Sequence, residues 1–269
     1  MSDEFSGLNG KAIVITGASD GIGAALATLA GAHGARVVLA ARREAALRDV
    51  AAACGSETLV VAMDVTRRED HARLLASAVA RFGHVDVWVN NAGRGITRPV
   101  LALTDADVDD IMLVNVKSVI YAMQEVVPHF QARGAGHLIN ISSMLGRIPF
   151  ATFRSVYCAS KHALNALTAC LRQDLRATHP GIYVSTVSPG VVATSFGANA
   201  IGGGPDSRGL PGAQPVEEVA AVIARTILSP AADVYTRDGM RQMAARYYGA
   251  EDMGAVEAEF AMRPAPPAR

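Results

Sequence analysis

Six short runs of aliphatic and β-branched residues, separated by longer amphipathic stretches, constrain this chain more than any other feature. They are AIVIT at 12–16, RVVLA at 36–40, TLVVAM at 58–63, VDVWV at 85–89, HLINI at 137–141 and YVSTV at 183–187. Runs this short and this apolar suit strands buried on both faces. Helical spacing is legible between them at 22–33, where Ile22, Leu26 and Leu29 share a face, and at 44–53, 67–82 and 156–177. Thr104 with Asp107 three residues on resembles a capping box and opens a helix predicted over 105–130. Such alternation implies parallel strands joined by right-handed crossovers. The predicted architecture is α/β: a doubly wound parallel sheet of six to seven strands, single domain, with helices on both faces.

The units fill residues 10 to about 190 with no glycine- or proline-rich break, so one catalytic domain is expected over 10–236, after an N-terminal extension at 1–9. The exception is 195–215, SFGANAIGGGPDSRGLPGAQP, too long and too rich in Gly and Pro for an ordinary connection; it reads as a lid. A helix at 216–228 and a short strand at 233–236 follow. The tail, 237–269, reads as helical at first, with a frayed end at PAPPAR.

Composition narrows the function. A chain of 269 residues that is 50% hydrophobic has ample material for a core, which excludes disorder. Its formal net charge of zero offers no reason to expect nucleic acid or a membrane as partner. Cys54, Cys158 and Cys170 form no CxxC pair, which points to free thiols and a reducing compartment, with no metal site expected. The start, MSDEFSGLNGK, lacks the basic and apolar runs of a signal peptide, and no apolar stretch reaches the ~18 residues of a membrane span. A cytoplasmic location is expected.

The first strand runs into Thr16-Gly17-Ala18-Ser19-Asp20-Gly21-Ile22-Gly23. Glycines at a strand-to-helix junction let the backbone turn tightly and approach a pyrophosphate, whose charge rests on free N–H groups at the helix start. A glycine cluster can also be a plain tight turn, but this one follows the first strand and opens the first helix. Gly17, Ser19, Asp20, Gly21, Ile22 and Gly23 are the candidate cofactor contacts. The second strand ends in Ala40-Ala41-Arg42-Arg43, without the acid that would accept from a ribose 2′-OH. Arg42 and Arg43 suit a 2′-phosphate, so NADP(H) is favoured over NAD(H). The alternative is a pair of solvated arginines, and Asp20 counts against a phosphate.

Tyr157 and Lys161 stand four residues apart on one helix face. A nearby ammonium favours the phenolate, so Lys161 is expected to lower the Tyr157 pKa and make the phenol a proton shuttle for a carbonyl or alcohol oxygen. Lysine occurs only at Lys11, Lys117 and Lys161, so with 6 tyrosines in 269 residues about 0.07 such pairs arise by chance. Ser142 and Ser143 follow the fifth strand, where ligands bind in such sheets, although serines there also satisfy turns.

With these residues in place the chain resembles the short-chain dehydrogenase/reductase family over residues 10 to about 195. The marks are Thr16–Gly23, Asp64-Val65, Asn90-Asn91-Ala92-Gly93, Asn115, Ser143, Tyr157 to Lys161, and Pro189-Gly190 followed by Thr194. The resemblance implies a Rossmann fold and a homodimer or homotetramer. It also implies Tyr157 as general acid/base, Lys161 on the nicotinamide ribose, Ser143 on the substrate oxygen, and Asn115 holding a water of a proton relay. Asp64 and Val65 would touch adenine, and Asn91, Ala92 and Gly93 would line the cofactor. Pro189, Gly190, Val192 and Thr194 would lie against the nicotinamide carboxamide. Asn90 could equally brace the sheet, and Asn115 could be a packed polar residue. Ser143 precedes Tyr157 by fourteen residues, one more than the common spacing, and the tail departs from the compact end of tetrameric members.

The expected activity is NADP(H)-dependent interconversion of a carbonyl and an alcohol on a small molecule. A cofactor-binding redox sensor without turnover is the alternative, and a sugar-nucleotide epimerase fits less well. Met144, Leu145, Phe150, Phe153, Val191 and Phe196 stand near the catalytic positions, as walls for an apolar substrate or as core.

Overall fold

The computed structural model describes residues 4–260, so the PAPPAR end and the first three residues of the 1–9 extension lie outside the described residues. Strands β1 (Ala12–Thr16), β2 (Arg36–Ala41), β3 (Thr58–Ala62), β4 (Val87–Asn90), β5 (Gly136–Ile141), β6 (Ile182–Ser188) and β7 (Asp233–Tyr235) form one parallel sheet in the order β3-β2-β1-β4-β5-β6-β7. The order reverses between β1 and β4, and in such sheets the crevice above that switch point is where ligands bind.

Alternation along each strand feeds two cores. From β1, Ile13 and Ile15 meet Leu26 and Ala30 of α1 (Gly21–Ala32), Leu47 of α2 (Glu44–Ala53) and Ile223 of α7 (Val216–Leu228). Ala12 and Val14 point the other way, toward Leu74 of α3 (Arg68–Phe82), Val126 and Phe130 of α5 (Ser118–Arg133) and Leu164 of α6 (Ser155–Arg176). Two buried faces explain why the strand runs show no polar alternation.

The helix expected over 105–130 is interrupted. The capping box forms as read, with Thr104 and Asp107 bonding each other's backbone, but α4 (Asp105–Met112) gives way to a π turn at Leu113–Lys117 before α5 begins. Asn115 sits in that turn, and a π turn inside a helix re-aims a side chain. The tail folds into α8 (Met240–Tyr248) and α9 (Met253–Phe260), the helical reading of residues 237 onward. Tyr247, Ala244 and Val256 pack on Met144 and Ile148, beside Ser143. No helix of the described residues is long and apolar enough to cross a membrane.

Candidate active site

The glycine turn is clamped to β4 by two residues. Thr16 is buried, and its hydroxyl accepts from the N–H groups of Asn91 (3.1 Å) and Ala92 (3.2 Å). Asn91 Nδ2 donates to the carbonyls of Thr16 (2.9 Å) and Gly17 (3.1 Å). Two of the glycines are obligatory there. Gly17 has φ of 66°, and a Cβ on it would lie 2.9 Å from the Ala92 Cα. A Cβ on Gly23 would lie 2.5 Å from both Asn91 Nδ2 and the Gly17 carbonyl. Asn91 therefore shapes the turn with its side chain, while Ala92 and Gly93 present backbone to the crevice. Ile22 is partly buried and packs against the first core.

Asp20 caps α1 by accepting from the Gly21 N–H (2.7 Å), and its other oxygen accepts from the Ser195 hydroxyl (2.6 Å). That bond ties the 195–215 segment to the glycine turn across 175 residues. Arg43 reaches the same turn: its Nη2 donates to Ser19 Oγ (3.2 Å). Arg42 beside it is exposed. Asp64, just past β3, holds an Asx turn by accepting from the N–H (2.9 Å) and hydroxyl (2.8 Å) of Thr66. Val65 packs against the second core. Asn90 braces the sheet: Trp88 Nε1 donates to its Oδ1 (2.9 Å), and its Nδ2 donates to Asn140 Oδ1 (2.8 Å).

The polar residues of the candidate catalytic set come together at the carboxyl ends of β4 and β5. Tyr157 and Lys161 lie on the inner face of α6, both buried. Lys161 Nζ donates to the Ile141 carbonyl (2.9 Å), lies 5.8 Å from the Tyr157 ring centre, and stands 3.7 Å from where a Cβ on Gly93 would be. Ser143 Oγ accepts from the Leu145 N–H (3.1 Å), and its hydroxyl draws the Tyr157 pKa down. Ser142 is also buried, with its hydroxyl unpartnered. Asn115 takes the Arg94 N–H on Oδ1 (2.8 Å) and donates from Nδ2 to the Arg94 carbonyl (2.9 Å) and Ser160 Oγ (3.1 Å). Both ends of its amide are engaged, which makes it a brace between the loop after β4 and α6.

One expectation is corrected. Burial pushes the Tyr157 phenol up to about 12, against the pull of the Ser143 hydrogen bond and of the Arg154 charge. Burial likewise pushes Lys161 down to about 8. Loss of hydration disfavours the charged form of each.

Past β6, Pro189 accepts from the Met144 N–H (2.7 Å), Val192 pairs with Gln214, and Thr194 packs over Gly21. Among the expected walls, Leu145 and Phe196 pack with Tyr157, the two rings 5.7 Å apart. Met144 and Phe150 pack with the tail, Phe153 lies beside Arg154, and Val191 is exposed. Two contacts go beyond the sequence reading: Met240 of the tail sits with its Cε where a Cβ on Gly190 would be, and the Ser195 hydroxyl bonds Asp20. Neither follows a local pattern. Ser160 stands between Tyr157 and Lys161, and only its bond to Asn115 gives it a task. The three cysteines are free, and no group of metal-ligating side chains occurs among the described residues.

A glycine turn at the switch point, with serine, tyrosine and lysine beside the next strand, marks a dehydrogenase-like site on a doubly wound sheet. The chain belongs to the short chain dehydrogenase family, whose pattern matches residues 11–201. It is an oxidoreductase of that family. An uncharacterized oxidoreductase of Staphylococcus epidermidis is 35% identical to it over 184 residues, which are 68% of this chain and 79% of the relative. A short-chain dehydrogenase/reductase of Burkholderia phymatum, solved in complex with NAD, superposes with a TM-score of 0.83 at 26% identity, covering 97% of this chain and 99% of the other. A short-chain dehydrogenase of Burkholderia cenocepacia, solved with NADP, gives a TM-score of 0.78 at 26% identity, covering 95% and 99%.

Proposed function

We propose that this protein interconverts a carbonyl and an alcohol on a small molecule using NADP(H), with Tyr157 as general acid/base. The observation that carries this reading is the convergence of Tyr157, Ser143 and Lys161 beside Gly93, at the rim of the crevice above the switch point.

The residues fit a dinucleotide. The clamped turn leaves the start of α1 facing the crevice, where backbone N–H groups would hold a pyrophosphate. Arg43 stands against Ser19, where a 2′-phosphate would lie in this fold, and no acid ends β2 to repel it. Asp64 and Val65 would flank the adenine, Lys161 would hold the nicotinamide ribose, and the 189–194 segment would face the carboxamide. A bound nicotinamide supplies or accepts the hydride.

The chain's own groups handle the proton. Ser143 donates a hydrogen bond to the substrate oxygen and orients it toward the phenol. Tyr157, kept protonated by burial, delivers its proton to that oxygen during reduction and recovers one in the reverse direction. Asn115 holds the loop after β4 against α6, which fixes the helix that carries both groups.

The test is loss of NADPH absorbance at 340 nm over a panel of ketones and aldehydes, run in parallel with NADH. Turnover faster with NADPH is expected, and Tyr157→Phe should lower kcat by about 10²–10⁴ while leaving NADPH affinity within about twofold. A Tyr157→Phe enzyme as active as the parent would falsify the mechanism. Tight NADPH binding with no turnover across the panel would favour the sensor reading.

A further inference from the structure

Arg154, the residue before α6, is a cation without an anion. Its neighbours are paired: Arg94 with Asp110 (2.9 Å) and Arg98 with Asp107 (3.2 Å). Among the described residues Arg154 has no ion pair and no side-chain hydrogen bond, and its Nη1 is buried with no partner. The rest of the residue is half-buried, so the guanidinium keeps an open edge. A guanidinium drawn out of water without a counter-charge is costly, and chains rarely retain one unless something pairs with it.

Small residues surround it. Three glycines ring the head group. A Cβ on Gly95 would lie 2.9 Å from Nη1, and a Cβ on Gly197 or Gly204 would lie 3.5 Å from Nη2. Thr97 Oγ1, 3.3 Å from that same Gly204 position, is a second buried polar atom with no partner among the described residues. Phe196 links the Arg154 head group to Tyr157. The Phe196 ring packs against Tyr157 at 5.7 Å, tilted by 58°, and its edge lies 2.8 Å from the Gly95 position that Nη1 approaches. The Arg154 charge is felt at the phenol.

We propose that Arg154, aided by the Thr97 hydroxyl, receives a carboxylate of the substrate, so that this enzyme acts on oxo acids and hydroxy acids. The inference rests on the oxidoreductase reading above and names its substrate class. Leu145 and Phe196 hold the carbon skeleton between the carboxylate and the carbonyl at Tyr157. It replaces the expectation of a wholly apolar substrate with an apolar body that carries one charged end.

The probes are benzoylformate, benzoylpropionate and benzoylbutyrate, each beside its methyl ester, which vary the spacing from carbonyl to carboxylate. With the full chain and saturating NADPH, kcat/KM for at least one acid should exceed that of its ester by about tenfold or more. In Arg154→Met the acid-to-ester ratio should fall by about tenfold, and Arg154→Lys should restore part of it. A parent enzyme that favours no acid over its ester overturns the proposal, and so does an Arg154→Met enzyme with an unchanged ratio. If no compound is turned over, calorimetric titration of the NADPH complex separates the two readings. Acid binding that Arg154→Met abolishes sustains the anion site and sinks the reductase reading; acids that bind no tighter than esters overturn the anion site.

Discussion

Burial acts on Tyr157 and Lys161 in opposite senses, raising one pKa and lowering the other, because each neutral form is the one the dry interior favours. The consequence for stability has a sign. Lys161 titrates near 8 in the folded chain against an ordinary value of 10.5. Between those values the unfolded chain binds more protons, so the Lys161 contribution to stability rises with pH. The rise continues until the pH passes 10.5, and from about pH 10 the raised Tyr157 acts in the other direction. Melting temperatures of the parent and Lys161→Met proteins, compared from pH 7 to pH 10, should diverge upward in favour of the parent above pH 8. A constant difference would place the folded lysine at its ordinary value.

Helices set which of these groups meet. The π turn at Leu113–Lys117 throws Asn115 toward Arg94 and Ser160, and an unbroken helix over 105–130 would present that position differently. Periodicity could not reveal the turn, because the bonds that stabilise it come from residues distant in sequence. The tail is a second case. Its Met, Tyr and Ala content reads as helical, but nothing local says that Tyr247 packs on Met144 and Ile148 beside Ser143, or that Met240 lies on Gly190. Tyr247→Ala should cost about 2–4 kcal/mol of unfolding free energy, from lost burial and the cavity left behind. Because Met144 follows Ser143 directly, substrate KM should rise while NADPH affinity holds. Denaturant unfolding and steady-state kinetics on the one variant check both, and a proportional loss of cofactor binding would place the tail elsewhere in the mechanism.

Across the whole molecule a buried polar chain joins β4, β5 and α6. It runs from Trp88 through Asn90 and Asn140 to Thr168, with each link between 2.8 and 2.9 Å. Asn90 and Asn140 face each other in the parallel register, so the chain crosses the sheet next to the switch point. Asn140→Leu would strand the Asn90 amide and leave a donor without an acceptor in the core. That should lower stability by about 1–3 kcal/mol. A shift of the urea midpoint at constant slope is the expected reading, and an unchanged midpoint would mean the amides are dispensable.

The local order of the chain determined its fold and most of its candidate site. β-Branched runs propagate as buried strands wherever they occur, a glycine turn needs only its own backbone freedom, and Tyr157 and Lys161 share a helix face by spacing alone. Tertiary structure decided what depends on distant neighbours. It set the direction of the Tyr157 and Lys161 shifts, which follow from how completely the fold removes water. It placed Met240 against Gly190, closed Ser195 onto Asp20, and left Arg154 ringed by Gly95, Gly197 and Gly204 with no carboxylate paired to it among the described residues. A sequence shows which charges a chain carries, but only packing decides which of them go unpaired.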